Sequence, residues 1–473
     1  MSRSKKLIVL LGVLLAACVI TLGVSKYEER KEQIKNSDEI VMELDSEKVT
    51  SLSWKYEDET LAFHKDETWF YDEDEAFPVS EEKINELLEW FQSFGVSFVI
   101  EDVEDFGQYG LDDPICTINI STEEEDYEIQ LGDYSTMDEE RYVSIGDGNV
   151  YLVQNDPLDT YNLELKDMIQ NDEVPDMDQV TEIQFAGSEN YTAVYQEENK
   201  STYSDEDVYF VEKDGEKLPL DTDNVESYVY AISTLSLNDY ISYNATEEEL
   251  ESCGLDEPEL SVTMQYTTQD EKSEEEQTGT FVLHISRDPE EKAEAESSKD
   301  KEDADLSETE EEITAYARVG ESQIIYKISG TEYETLIAAS YNDLRHQDVI
   351  WAEFADVTQV DINLEDADYT FTSEENDDET IWYYQEEEVE IDDFRTSLAS
   401  LTASEFTDEE PEGKKEISLV VHLDNENVQE VKIELYRYDG SSCLAVVDGE
   451  PVSLIDRSYV VNLIEAVNTI VLN

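Results

Sequence analysis

Basic residues are scarce in this 473-residue chain: 30 Lys and Arg stand against 121 Asp and Glu, a formal net charge of -91. Such a surface repels phosphate backbones and anionic headgroups over roughly a Debye length of ~8–10 Å, which excludes nucleic acid as a partner. Cysteine is sparse too. Cys18 lies in an apolar N-terminal run, and Cys116, Cys253 and Cys443 are too scattered for a disulfide framework or a zinc knuckle. The four histidines, His64, His284, His346 and His422, fall in separate segments, and none opens a helical zinc motif, so they read as structural or surface residues.

The usual marks of catalysis are missing as well. Gly440-Ser441-Ser442-Cys443 lacks the second glycine of a nucleophile elbow, Gly146-x-Gly148 lacks the third of a dinucleotide loop, and no phosphate-cradling Gly-Lys-Ser/Thr occurs. Paired carboxylates could serve glycoside hydrolysis, but where more than a quarter of residues are acidic, pairs are expected everywhere. Asp221-Thr222-Asp223-Asn224 offers hard oxygen ligands for calcium without EF-hand spacing, and suits a helix cap equally well. We therefore assign no catalytic, cofactor-binding or metal-ligating residue, expect no cofactor, and read the chain as non-enzymatic.

What is present is apolar material in two patterns. Arg3, Lys5 and Lys6 precede 18 uncharged residues, Leu7 to Val24, which as a helix span ~27 Å, close to the ~30 Å of a hydrocarbon core. Residues 1–25 thus read as a membrane anchor or signal segment, with the anchor a single span of the cell membrane and the long C-terminal part outside. Leu15-Ala16-Ala17-Cys18 also resembles the box before a lipid-modified cysteine, so lipoprotein anchoring at Cys18 is the alternative. Residues 26–45 read as a charged stalk.

The rest is repetitive. Val49-Thr50-Ser51-Leu52-Ser53-Trp54, Val180-Thr181-Glu182-Ile183-Gln184-Phe185 and Val357-Thr358-Gln359-Val360-Asp361-Ile362 each alternate apolar and polar residues like half-buried strands. Each is followed by an aromatic strand containing Trp69 and Tyr71, Tyr209 and Phe210, or Trp382 and Tyr384; of these Trp69, Tyr71, Trp382 and Tyr384 are better read as core than as a glycan-stacking platform. A helix comes next. Ser80 caps the first, with Ile84, Leu87, Leu88 and Phe91 on one face; Val225, Tyr228, Val229 and Ile232 repeat that spacing, and Phe394, Leu398 and Leu401 keep most of it. Gly110-Leu111-Asp112-Asp113-Pro114 and Gly254-Leu255-Asp256-Glu257-Pro258 then turn the chain into another strand; the third copy offers only Glu410-Pro411-Glu412-Gly413.

The second copy begins 131 residues after the first, and the third 177 after the second. Much of the surplus falls at 287–312, where 13 of 26 residues are acidic, which reads as a disordered surface insertion. The expectation is an α+β chain: an N-terminal transmembrane helix, then three modules at 46–175, 176–350 and 351–473, each an antiparallel β-sheet with one packed helix.

Trp69-x-Tyr71, the Phe77-Pro78-Val79-Ser80 stretch with its helix, and the Tyr109-Gly110-Leu111-Asp112-x-Pro114 turn resemble the DUF4340 family, a domain of unknown function, best over 49–163. The resemblance implies a membrane-anchored bacterial protein encoded near an ABC transporter of the gliding-motility type, and it brings no catalytic residues. The expected function is that of an extracytoplasmic, non-enzymatic interaction protein, an accessory to an ABC-transporter or cell-envelope complex. Its expected partners are membrane proteins such as transporter subunits. The alternative is a surface protein that binds cell-wall glycan or cations.

Overall fold

A computed structural model of the chain describes residues 39–472 apart from 102, 198–199, 214, 270–275, 300–312, 366 and 377–378. The anchor expected over 1–25 lies outside the described residues, as does most of the expected stalk. Among the described residues no helix is long and apolar enough to cross a membrane. Glu39–Met42, placed in the stalk by sequence, is a strand paired with Phe94–Val96 and so belongs to the first folded unit.

Antiparallel sheet dominates. Among the described residues 28 strands form one two-stranded ribbon and sheets of eight, nine and nine strands. In the eight-stranded sheet Val49–Tyr56, Glu59–Lys65 and Trp69–Tyr71 run out to one edge, and helix Glu81–Gln92 carries the chain to the opposite edge, where Phe98–Ile100 lies. The chain then returns to the middle. Cys116–Thr122 pairs with Val49–Tyr56, and Asp126–Ser135, Glu140–Ser144 and Val150–Val153 fill the gap to Phe98–Ile100. The sheets begun by Gln179–Ala186 and Val357–Leu364 follow the same path with one more outer strand, Glu216–Pro219 and Glu387–Val389.

The shared Val-Thr opening has a structural cause. In each first strand the threonine is the extra residue of a β-bulge: Val49 and Ser51 face consecutive residues of the neighbouring strand, as do Val180 and Glu182, and Val357 and Gln359. The threonine hydroxyl donates to the opposite carbonyl each time, Thr50 to Ser121 at 3.2 Å, Thr181 to Gln265 at 3.1 Å and Thr358 to His422 at 3.3 Å. The bulge sets the phase in which Leu52 and Trp54, Ile183 and Phe185, and Val360 and Ile362 all point into the core.

The expected α+β architecture with one helix per sheet is overturned: the chain is mostly β, and the helices are not one per module. Width is the physical reason. Eight or nine strands at ~4.8 Å make a sheet well over ~30 Å across, whereas a 12-residue helix such as Glu81–Gln92 is ~18 Å long. Further helices share the face: Leu158–Tyr161 in the first module, where the Tyr161 hydroxyl donates to the Leu87 carbonyl, Gly330–Ile337 beside Thr222–Ser233 in the second, and Arg457–Leu472 beside Asp392–Ala399 in the third. The second also holds Glu247–Ser252, Tyr341–Leu344 and Pro289–Lys299.

The last of these lies in the acidic insertion, which was expected to be unstructured. Asp288 accepts from the backbone N–H groups of Glu290 and Glu291, and Pro289 opens the helix, so the insertion begins as a capped helix through Lys299. Residues 300–312 lie outside the described ones. The chain divides into two compact units, Met1–Asn171 and Asp172–Asn473, the second holding both nine-stranded sheets.

The Gly-Leu-Asp turns are helix terminators. Gly110 (φ 70°) and Gly254 (φ 68°) take the left-handed conformation, and the next N–H reaches back, Leu111 to Phe106 and Leu255 to Leu250, while both leucines are buried. A Cβ on Gly110 would stand 2.8 Å from the Asp133 backbone nitrogen; on Gly254 its nearest neighbours are side-chain atoms at 3.2 Å and beyond. Left-handed alanine costs about 1–2 kcal/mol. Gly254→Ala should lose about that much in chemical denaturation, and Gly110→Ala clearly more.

Candidate functional site

A cluster of buried polar groups lies in the unit 172–473. Asp207, only 2% exposed, places Oδ1 2.8 Å from His346 Nε2. Its Oδ2 accepts from Trp351 Nε1 at 3.1 Å and from the Thr202 hydroxyl. The other ring nitrogen of His346 lies 3.5 Å from Asp221 Oδ2. The imidazole stacks flat on the Trp351 indole, centroids 4.1 Å apart, and Trp351 leans on Tyr203 at 4.8 Å. Tyr203 packs against the core of the third sheet, and its carbonyl accepts from Asn425 Nδ2. Burial raises both the Tyr203 hydroxyl and the Asp348 carboxyl above their ordinary pKa values.

Local sequence explains the placement. Asp221 is the N-cap of Thr222–Ser233, accepting from the N–H groups of Asp223 and Asn224, so the acidic run weighed as a calcium loop is a helix cap. The Asp221 N–H donates to the Leu344 carbonyl, at the end of a short helix capped by Ser340 and Asp343, and the chain then brings His346 and Trp351 against Asp207. An aspartate beside a histidine is half of a general-base arrangement. Here both ring nitrogens face carboxylates and Trp351 covers one ring face. The cluster can hold two modules together.

The other histidines are also engaged. His64 Nδ1 meets Asp72 at 2.7 Å, a bond that raises its pKa, and His422 Nε2 meets Asp361 at 2.9 Å. His284 Nδ1 lies 2.8 Å from Ser261 Oγ across paired strands, and burial, helped by Arg318, lowers its pKa. That pair has the atoms of a nucleophile and its base, and both residues lie in the ladder of paired strands. In the first unit Arg141 is buried against Asp156 at 2.6 Å and also donates to the Gly132 carbonyl.

Cys116, Cys253 and Cys443 are free and buried, and burial pushes the Cys116 and Cys443 thiols up to about 12, far from the thiolate that reacts. Cys18 lies outside the described residues. Trp69, Tyr71 and Trp382 are core side chains, and Tyr384 is half-buried against Phe371. Among the described residues no group of three or more His, Cys, Asp or Glu is arranged to hold a metal ion. Sequence reasoning missed the Asp207 cluster, whose members lie 139 positions apart and carry no spacing signal.

Two overlapping stretches, residues 69–258 and 211–419, match the family described as Domain of unknown function (DUF4340). The chain belongs to the DUF4340 family. The two DUF4340 matches start in equivalent strands, Trp69–Tyr71 and Tyr209–Lys213, so they register the internal repeat that the sheets display. No curated protein and no solved structure matches this DUF4340 chain.

If the cluster is an interlock, removing His346 leaves a buried carboxylate short of a partner. His346→Ala should destabilise the unit 172–473 by about 1–3 kcal/mol, read as an earlier denaturation of that unit with the transition of residues 39–171 unchanged.

Proposed function

We propose that this DUF4340 protein is a non-enzymatic interaction protein, tethered to the cell membrane by residues 1–25 with its sheets outside, and that it serves an ABC-transporter or cell-envelope complex. The observation that carries the reading is that the buried groups able to do chemistry have structural employment. Asp207 and His346 join two modules, Arg141 and Asp156 brace a bulged hairpin, Asp221 caps a helix, and the thiols are buried. The apolar run Leu7 to Val24 supports the tether, with lipid attachment at Cys18 as its variant. The company implied by the family resemblance supports the transporter.

Chemical crosslinking in native cells, affinity capture of the tagged full-length protein and mass spectrometry test this. Transporter or envelope-complex subunits should be enriched over a tag-only control. Recovery of no membrane protein would sink the proposal and leave glycan or cation binding as the reading to pursue.

A further inference from the structure

One arginine stands apart from the rest. Of the arginines withdrawn from full exposure, Arg141 pairs with Asp156, Arg287 with Glu291 and Arg457 with Glu416, while Arg318 donates to the Ser322 carbonyl. Arg345 is half-buried too, yet among the described residues its guanidinium has neither an ion pair nor a hydrogen bond. It lies 4.4 Å from the centroid of the Phe406 ring and 5.0 Å from that of Tyr341. None of its nitrogens is sealed from solvent, so its N–H groups are open to water.

Local structure explains the placement. Helix Tyr341–Leu344 ends on Arg345, whose backbone N–H donates to the Tyr341 carbonyl, and the side chain lies over the ring one turn back. The connecting segment then runs beside strand Ala403–Phe406: the Val349 N–H donates to Leu401 and the Ala403 N–H to Gln347, which brings Phe406 within reach. The acids nearest along this stretch are engaged elsewhere. Asp343 accepts from the N–H and hydroxyl of Ser340, and Glu189 accepts from the Tyr341 N–H. Burial lowers the Arg345 pKa, Tyr341 opposes that shift, and no described carboxylate adds to the opposition.

A guanidinium presents its donors as a planar fork that matches a carboxylate with two parallel bonds, and aromatic rings beside it hold that plane in one orientation before anything binds. With 121 acidic residues in the chain, an internal carboxylate would have been easy to supply, and this fork is left without one. We infer that Arg345, held by Tyr341 and Phe406, takes a carboxylate of a partner protein: an Asp or Glu side chain or a chain-terminal carboxylate. The surrounding surface repels acidic chains at long range, so that carboxylate belongs to a segment whose neighbours are neutral or basic. The inference rests on the interaction-protein reading above and adds the surface and the partner's chemistry.

The test uses the full-length tagged protein in native cells, with a photoreactive phenylalanine analogue at position 406 and, as control, at Tyr134, an exposed aromatic of the first unit. The peptide crosslinked at 406 should come from another protein and carry an Asp, a Glu or a chain-terminal carboxylate, with none of it at 134. Arg345→Gln should cut chemical-crosslink recovery of that protein about tenfold or more, as loss of one member of a paired charge does. Arg345→Lys, which keeps the charge and loses the fork, should restore only part of it. Arg395→Gln, at an exposed arginine already paired with Asp392, should leave recovery unchanged. If Arg345→Gln also lowers the melting temperature, a charge exchange decides: Arg345→Glu combined with Lys at the partner's crosslinked carboxylate should regain recovery that either change alone loses. Crosslinks at 406 to glycan, lipid or a second copy of this chain, no crosslink there, unaltered recovery with Arg345→Gln, or a charge exchange without rescue each overturn the inference. If chemical crosslinking still recovers a membrane protein in those cases, the interaction reading stands and this site falls; if it recovers none, both fall.

Discussion

Each large sheet depends on one long-range pairing, that of its first strand with the strand after its helix: Val49–Tyr56 with Cys116–Thr122, Gln179–Ala186 with Leu260–Gln269, and Val357–Leu364 with Lys415–Leu423. Until it forms, the meanders on its two sides are separate ribbons with an open loop between them, and closing that loop carries an entropic cost. Register in this pairing is decisive, because a slip by one residue turns every side chain to the other face. In the second sheet a slip would exchange buried Ile183 for Glu182. The threonine bulge fixes the phase at the start of the strand. In a chain this acidic, a wrong phase would bury carboxylates, so the penalty for misregister is unusually steep.

Much of this was legible in the sequence because it is written in alternation and caps. The opening strands, the helix faces of Ile84, Leu87, Leu88 and Phe91, and the glycine turns are local signals, and local signals survive in one sequence. The strand around His64 was legible, but the second strand of the third sheet was not, because its hairpin turn at Glu365, φ 52°, uses a glutamate where glycine or asparagine would ordinarily mark the left-handed position. Arg457–Leu472 was missed for another reason: its Val and Ile content suits a strand, and only the spacing of Val460, Leu463, Val467 and Ile470 betrays the helix. The helix count failed because sheet width, which calls for a second helix, follows from strand number and not from any one segment.

The candidate site was illegible for a deeper reason. Asp207, His346 and Trp351 carry no common motif and meet only because an exposed-looking acidic stretch folds back onto the segment between two sheets. Asp207 and Asp156 share a logic: each is a carboxylate drawn inside and each accepts several bonds there. The many remaining acids can stay in water, which is how a chain with so much charge still builds cores. Composition alone reports the exposed majority and hides the few that organise the interior.

The offset between the family match and the sheets changes how the protein can be divided. The first match begins at residue 69, after Val49–Tyr56 and Glu59–Lys65, and the second begins at residue 211, after Gln179–Ala186 and Asn190–Tyr195. A fragment cut at residues 69–258 would keep a helix and a turn but discard the strand on which its first sheet is assembled, and would end before Leu260–Gln269, the partner of the next opening strand. The unit that similarity recognises is therefore out of phase with the unit that folds, and a stable piece of this chain has to be cut at the Val-Thr strands.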